Sequence, residues 1–184
     1  MHIPALPPYQ LQHAWQCAAR CDAVVTPQDG SAAYSYERHG PGAVAMAKYD
    51  NGAGDHIVAF FGPDGRTVLK GFDHESAVSP HAREEYAVWP GLYEGMPPDL
   101  LRLIHGEAVE PEHVTFCCWS VDGLSWQTGN AHIPADIDDG SGWLLRMVQM
   151  NAQEFIAWAT SYYGDHFRRI GERGVLAAFG RDRT

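Results

Sequence analysis

The sequence predicts a single α+β domain, built from an antiparallel sheet with helices packed on one face. Its 184 residues are 45% hydrophobic, which is enough to bury one substantial core. Short apolar segments separated by Gly, Pro, Asn and Asp turns fill the middle of the chain, whereas the clearest helical periodicity lies near its two ends. No composition break or internal repeat divides the sequence, so we expect one domain over residues 1–184.

A first, amphipathic helix is expected over about residues 9–21. Pro7 and Pro8 stand where this helix would begin, and proline fits the first helical turn. Apolar residues then recur at helical spacing, at Leu11, Ala14, Trp15 and Ala18. The face that they form should pack on the sheet.

The predicted sheet covers about residues 33–127. Its strand-like segments are 33–36, 43–49, 57–61, 67–70, 114–121 and 124–127. The turn sequences Gly-Pro-Asp-Gly at residues 62–65 and Asp-Gly at residues 122–123 each predict a hairpin between the two segments beside them. Cys117 and Cys118 are adjacent on one strand and should therefore point to opposite faces of the sheet.

A further helix is expected over about residues 151–163. Asn151 is a favourable N-cap, and Glu154 follows at the spacing of a capping box. A short helix that begins at the Pro97-Pro98 pair is also expected. The last segment, about residues 165–184, holds five arginines and three acidic residues, and we interpret it as a basic, solvated tail.

Composition and charge restrict the location and the partners of the protein. The sequence shows neither a secretion signal at its start nor the roughly 20 consecutive apolar residues that cross a bilayer. The four cysteines fit free thiols in a reducing compartment, so a cytoplasmic protein is expected. The net charge of −10 argues against binding to nucleic acid or an anionic membrane, and favours a protein partner that is basic or neutral.

The polar segment that follows residue 72 offers the side chains best suited to chemistry. The catalytic candidates are Asp73, His74, Glu75, Ser76, His81 and Glu84. Carboxylates and imidazoles serve as metal ligands or as general acids and bases. The alternative is structural: Asp73 and Ser76 bond nearby backbone amides in a turn, while His74 fills a partly buried polar niche.

Patterns that would specify a metal site are absent from the sequence. Neither an HExxH nor an HxH pairing occurs, and the ten histidines are scattered singly. The acidic loop at residues 136–142 departs from a calcium-binding loop, because Gly140 comes one position early and Met147 replaces the final Glu. We therefore expect no metal and no cofactor, and interpret this loop as solvated.

Aromatic residues are a second group of candidates. The chain contains six Trp and eight Tyr, which is plentiful for one domain. Trp89, Tyr93 and Trp143 fall near predicted turns or edges, where amphipathic aromatic side chains anchor protein interfaces. The alternative role for each of them is packing in the core.

Four short segments carry a resemblance to a known group of proteins. They are residues 70–76 (KGFDHES), 89–91 (WPG), 115–119 (TFCCW) and 158–163 (WATSYY). Together they resemble a family of uncharacterised small bacterial proteins over about residues 55–179, and the GFDHES segment is the most specific part. The family has no established activity, so the resemblance implies no catalytic residues. Immunity partners of bacterial toxins offer a further analogy, in size and charge alone.

Three functional hypotheses follow from the sequence. The leading one is a non-catalytic, protein-binding protein of the immunity type in a bacterial cytoplasm, whose acidic and aromatic surface docks on its partner. The alternative is a metal-dependent or acid–base enzyme centred on Asp73, His74 and Glu75, assisted by His81 or Glu84. In the third hypothesis the loop after residue 72 has only a structural role.

Overall fold

An antiparallel sheet of six strands forms the centre of the protein. The computed structural model describes residues 1–28, 30–38, 44–106 and 109–180. The strands are β1 (Tyr34–Glu37), β2 (Ala45–Asp50), β3 (His56–Phe61), β4 (Thr67–Phe72), β5 (Phe116–Ser120) and β6 (Gln127–Thr128). The helices are α1 (Pro8–Val25), α2 (Pro98–Ile104), α3 (Ser141–Val148), α4 (Ala152–Tyr163) and α5 (Gly171–Gly180). Residue 43 of the predicted second strand lies outside the described residues.

The strands pair in chain order, from β1 to β6, and every pair is antiparallel. His56 on β3 lies opposite Phe72 on β4, and Gly71 on β4 lies opposite Phe116 on β5. The start of β3, the end of β4 and the start of β5 therefore meet at the same end of the sheet. The loops that leave this end carry the candidate site.

The first face of the sheet packs against four helices. One apolar cluster joins α1, α3, α4 and α5 to the inward side chains of the strands, and its large buried members include Trp15, Phe116 and Phe155. Cys118 belongs to this cluster. The predicted α+β class with an antiparallel sheet and helices packed on it is confirmed.

The second face of the sheet is covered by α2 and by the irregular segments around it. Val68 and Trp119 of the sheet cluster there with Leu100 and Ile104 of α2, and Cys117 lies on this face, opposite its neighbour Cys118. All side chains of β3, β4 and β5 are buried, which requires a cover on both faces. The prediction placed helices on one face; α2 lies on the other because these strands are apolar on both sides.

Helix α3 occupies part of the acidic segment that the sequence analysis interpreted as a solvated loop. It begins at Ser141, whose backbone N donates to Asp139 Oδ1 at 2.9 Å, and Gly140 before it takes a φ of 78°. Leu144 and Leu145 are buried in the apolar cluster on the first face of the sheet. The interpretation as a solvated loop is wrong from Asp139, which is buried, and α3 follows at Ser141, because a helix this short depends on tertiary packing rather than on intrinsic propensity.

The carboxyl-terminal helices agree with the sequence in one case and differ in the other. The predicted capping box is present: Asn151 Oδ1 accepts from Glu154 N at 3.0 Å, and Asn151 N donates to Glu154 Oε2 at 2.8 Å. The segment from residue 165, interpreted as a solvated tail, instead forms a 3₁₀ helix at Gly164–Arg169, with Phe167 buried, and then α5, whose Val175 is fully buried. Burial against α1 and α4 outweighs the charged composition of this segment. Residues 181–184 lie outside the described residues.

None of the described helices combines the length and the apolar composition that crossing a bilayer requires.

Candidate functional site

Four histidines that are scattered in the sequence converge on one cleft. The cleft has a volume of about 500 Å³ and opens at the end of the sheet where β3 starts and β4 ends. His56, His74, His81 and His113 line it, together with Glu110. Strand β3 supplies His56, and the turn after β4 supplies His74. The segment before α2 supplies His81, and the segment after α2 supplies Glu110 and His113.

His74 forms a close pair with Asp55, the residue before β3. Asp55 Oδ1 lies 2.7 Å from His74 Nδ1 and accepts the backbone N–H of His74 at 2.9 Å. Asp55 Oδ2 accepts from Asn51 Nδ2 at 2.7 Å. Because Asp55 holds Nδ1, the second ring nitrogen, Nε2, stays free of this carboxylate.

The pairing shifts the pKa values of both His74 and Asp55. The hydrogen bond to Asp55 raises the pKa of His74 above its usual value, against a smaller opposing effect of desolvation. Burial favours the neutral form of Asp55, but hydrogen bonds from His74 and Asn51 outweigh it and lower the pKa of this carboxyl. The pair is therefore suited to carrying an imidazolium next to a carboxylate.

Asp73 is held by a network of hydrogen bonds within the loop. Its Oδ1 accepts from Glu75 N at 3.0 Å, its Oδ2 accepts from Trp143 Nε1 at 2.9 Å, and its backbone N donates to Thr115 Oγ1 at 3.2 Å. Asp73 thus makes the turn contact that the structural hypothesis predicted for it.

Asp55, Asp73 and His74 also form a potential ligand group, since one ligand atom from each lies within 4.8 Å of the others. All four carboxylate oxygens of this group already accept a hydrogen bond from protein donors. The group is accordingly a hydrogen-bond network that positions His74, with Asp55 in the place that the sequence analysis gave to Glu75.

The other residues predicted in this loop do not join the pair. Ser76 is buried; its Oγ donates to Asp138 O at 2.7 Å and accepts from Val78 N at 3.0 Å, so it bonds a backbone amide as the structural hypothesis predicted. Glu75 is 85% exposed, with Oε1 3.9 Å from His74 Nε2. Glu84 is exposed to solvent.

His81 and His113 approach each other across the cleft. Their Nε2 atoms are 3.3 Å apart. His81 lies in a single 3₁₀ turn at Pro80–Ala82, and His113 stacks on Phe72 with ring centroids 4.7 Å apart and an interplanar angle of 13°. Glu110 Oε2 lies 3.3 Å from Nδ1 of His113. The sequence analysis named His81, but not His113 or Glu110.

Two buried basic side chains lie beside this pair. Lys70 is fully buried, and its Nζ donates to Glu110 O at 2.6 Å and to His113 O at 3.2 Å. Burial lowers the pKa of Lys70 to about 8 and that of His56 to about 4. His56 is therefore neutral at pH 7, whereas Lys70 holds the backbone of the 110–113 turn.

A signal for the missed residues was present in the sequence. Asp55 and His56 stand at the start of a predicted strand, Asp73 and His74 follow the end of the next, and His113 precedes a third. In an antiparallel sheet, these strand ends meet when the three strands are neighbours in chain order. The strand order needed for that argument is a tertiary property.

The three aromatic candidates use their polar atoms inside the protein. Trp89 Nε1 donates to His132 O at 3.2 Å, and the Tyr93 hydroxyl donates to Pro111 O at 2.8 Å. Trp143, which is 36% exposed, donates to Asp73. Burial also raises the pKa of Tyr93. The role of these residues as interface anchors stays a prediction.

Comparison of the chain with protein-family models, with curated proteins and with solved structures finds no match. The resemblance to the GFDHES-containing family stays a prediction.

Proposed function

We propose that the protein is an acid–base enzyme whose active site is the histidine cleft, with His74 as its general acid and base. The observation that carries the proposal is the contact of Asp55 with both Nδ1 and the backbone N of His74. A carboxylate on Nδ1 fixes the orientation of the imidazole and stabilises its protonated form, and it leaves Nε2 to exchange a proton with a bound molecule. Asp55 is a positioning residue in this scheme.

The surroundings of His74 suit proton transfer to a small polar substrate. A volume of about 500 Å³ lies within the range of sites for small molecules. His56 is neutral at pH 7 and supplies a hydrogen-bonding group, while Lys48 and Asp50 add charges of both signs to the lining. These features favour the enzyme hypothesis over the protein-binding one, because the polar side-chain atoms of the three aromatic candidates already form hydrogen bonds within the protein.

The first prediction concerns the titration of His74. In the wild-type protein we expect its pKa, measured by NMR, to lie above the ordinary 6.5, and Asp55→Asn to bring it back toward that value. Because folding raises this pKa, the contribution of His74 to the free energy of unfolding is complete below pH 6.5 and is lost as the pH rises through the raised pKa. Glu172→Gln is the matched control, since it also removes one carboxylate charge and Glu172 is exposed on α5, outside the lining of the cleft. An unchanged pKa in Asp55→Asn would contradict the pairing.

The second prediction concerns turnover. A panel of nitrophenyl esters and phosphates should include a substrate that the protein turns over, and His74→Gln should lower kcat by about 10² to 10⁴-fold while Glu172→Gln leaves it unchanged. Asp55→Asn should lower kcat and shift the pH profile, because it acts through His74. Turnover that survives His74→Gln would contradict the proposal. So would a panel with no turnover, if a fragment screen by NMR also leaves the His74 signals unperturbed.

A further inference from the structure

The distance between the two facing imidazoles matches a shared metal ion. Two nitrogens bound to Zn²⁺ at about 2.0 to 2.1 Å with a tetrahedral angle between them lie about 3.3 to 3.4 Å apart. His81 Nε2 and His113 Nε2 are 3.3 Å apart, a separation that also permits a hydrogen bond between the two rings. The two rings thus hold the spacing of ligands to one cation.

The carboxylate of Glu110 prepares His113 for this role. It lies 3.3 Å from Nδ1 of His113, within ion-pair distance of the ring. In a neutral imidazole with its proton on Nδ1, the lone pair is on Nε2, which is the atom that faces His81. A carboxylate on the far nitrogen is the usual partner of a metal-bound histidine, because it fixes the ring and increases the basicity of the ligand.

The turn that carries these residues is held in a strained conformation. Glu110 has a φ of 45°, the one positive φ of a non-glycine residue among the described parts of the chain. Its carbonyl accepts both from Lys70 Nζ and from His113 N, the latter at 2.9 Å. Strained residues persist where the surrounding structure imposes them, and they concentrate at functional sites. The strained backbone and the hydrogen bonds from the buried Lys70 together fix the positions of Glu110 and His113 relative to each other.

From this geometry we propose that His81 and His113 bind a divalent transition-metal ion, with Zn²⁺ as the reference case, and that Glu110 orients His113. Imidazole nitrogens suit Zn²⁺, Cu²⁺ and Ni²⁺ rather than Mg²⁺ or Ca²⁺. Two protein ligands leave the remaining coordination positions to water or to a small molecule in the cleft. The proposal goes beyond acid–base chemistry at His74 and does not depend on it.

The local charge permits a bound cation. The Lys70 ammonium lies behind the turn and is engaged with two carbonyl oxygens, and Lys48 is paired with Asp50 at 2.9 Å. The carboxylate of Glu110 and the overall charge of −10 favour cation binding.

The test is calorimetric titration of untagged, chelator-treated protein with Zn²⁺. We expect one site, and at least about a tenfold weaker affinity in each of His81→Ala and His113→Ala. Glu110→Gln should weaken binding by about tenfold or more, as loss of a carboxylate behind a ligand does. His166→Ala, a change at another exposed histidine, is the matched control and should leave the affinity unchanged.

A paramagnetic readout assigns the site independently of affinity. Substoichiometric Cu²⁺ should broaden the ring signals of His81 and His113 before those of His74. The His81→Ala variant keeps the test decisive if His113→Ala disturbs the fold, because His81 is exposed on a short turn.

Three results would overturn the proposal. They are the absence of Zn²⁺ binding to the wild-type protein, an affinity unchanged by His81→Ala, and a loss of binding in His74→Ala that equals the loss in His81→Ala. The last would assign the metal to the Asp55, Asp73 and His74 group instead.

Discussion

Gly71→Ala is expected to destabilise the protein by about 3 kcal/mol, or to prevent folding altogether. A Cβ at this position would lie 2.1 Å from Cζ and 2.2 Å from Cε1 of Phe116, which pairs with Gly71 across β4 and β5. Phe116 is fully buried in the first core cluster, so its ring has no free space to enter. The gain from removing a flexible glycine is smaller than this overlap.

Urea denaturation followed by tryptophan fluorescence measures the effect of Gly71→Ala. Gly106→Ala is the matched control, because a Cβ there meets nothing within 4 Å and the backbone has no positive φ. The double variant Gly71→Ala with Phe116→Leu should recover part of the loss if the ring is the obstacle, since a smaller side chain makes room for the Cβ. Equal stability of Gly71→Ala and Gly106→Ala would show that the sheet accommodates the methyl group.

Gly129→Ala is expected to have an effect of similar or larger size, at least about 3 kcal/mol. The added Cβ would lie 2.0 Å from the carbonyl oxygen of Gly91 and 2.7 Å from that of Leu92. Both obstacles are backbone atoms, so no side-chain rotation can relieve them. The turn at residues 89–92 must therefore move away from the chain that follows β6, and the bond from Trp89 Nε1 to His132 O should be lost with it.

The measurements for Gly129→Ala are thermal unfolding and the NMR signal of the Trp89 indole N–H. We expect a lower Tm and a shifted indole signal, whereas Gly180→Ala, where a Cβ has open space, should change neither. A wild-type Tm in Gly129→Ala would contradict the close approach of these two segments. Retention of the indole signal in a destabilised protein would show that the loss of stability arises elsewhere.

The candidate site shows how far sequence reasoning reaches. The pattern of Asp, His and Glu after β4 drew attention to His74, which does line the cleft. The same reasoning grouped His74 with Asp73 and Glu75, its neighbours in the sequence, although consecutive side chains on an extended chain diverge. The true companion, Asp55, lies 19 residues earlier and reaches His74 because β3 and β4 are antiparallel.

His113 and Glu110 were not predicted as site residues for a related reason. They precede β5, and they enter the cleft because Gly71 pairs with Phe116 and brings β5 alongside β4. The sequence predicted strands in both places but not that these two strands are neighbours. The positions of these single histidines beside predicted strand ends therefore indicated convergence only in combination with the strand order.

Local interactions alone determined several features of this protein. The capping box at Asn151 and Glu154 and the opposite directions of Cys117 and Cys118 follow from geometry within a few residues, and so they could be predicted. The α+β class follows in the same way from the periodicity of short segments. Only the tertiary structure decided the formation of α3 and α5, the burial of Lys70 and the convergence of four histidines. Each of these depends on which distant segments pack together, and the hydrophobic energy that selects the packing is spread over the whole core rather than encoded at one position.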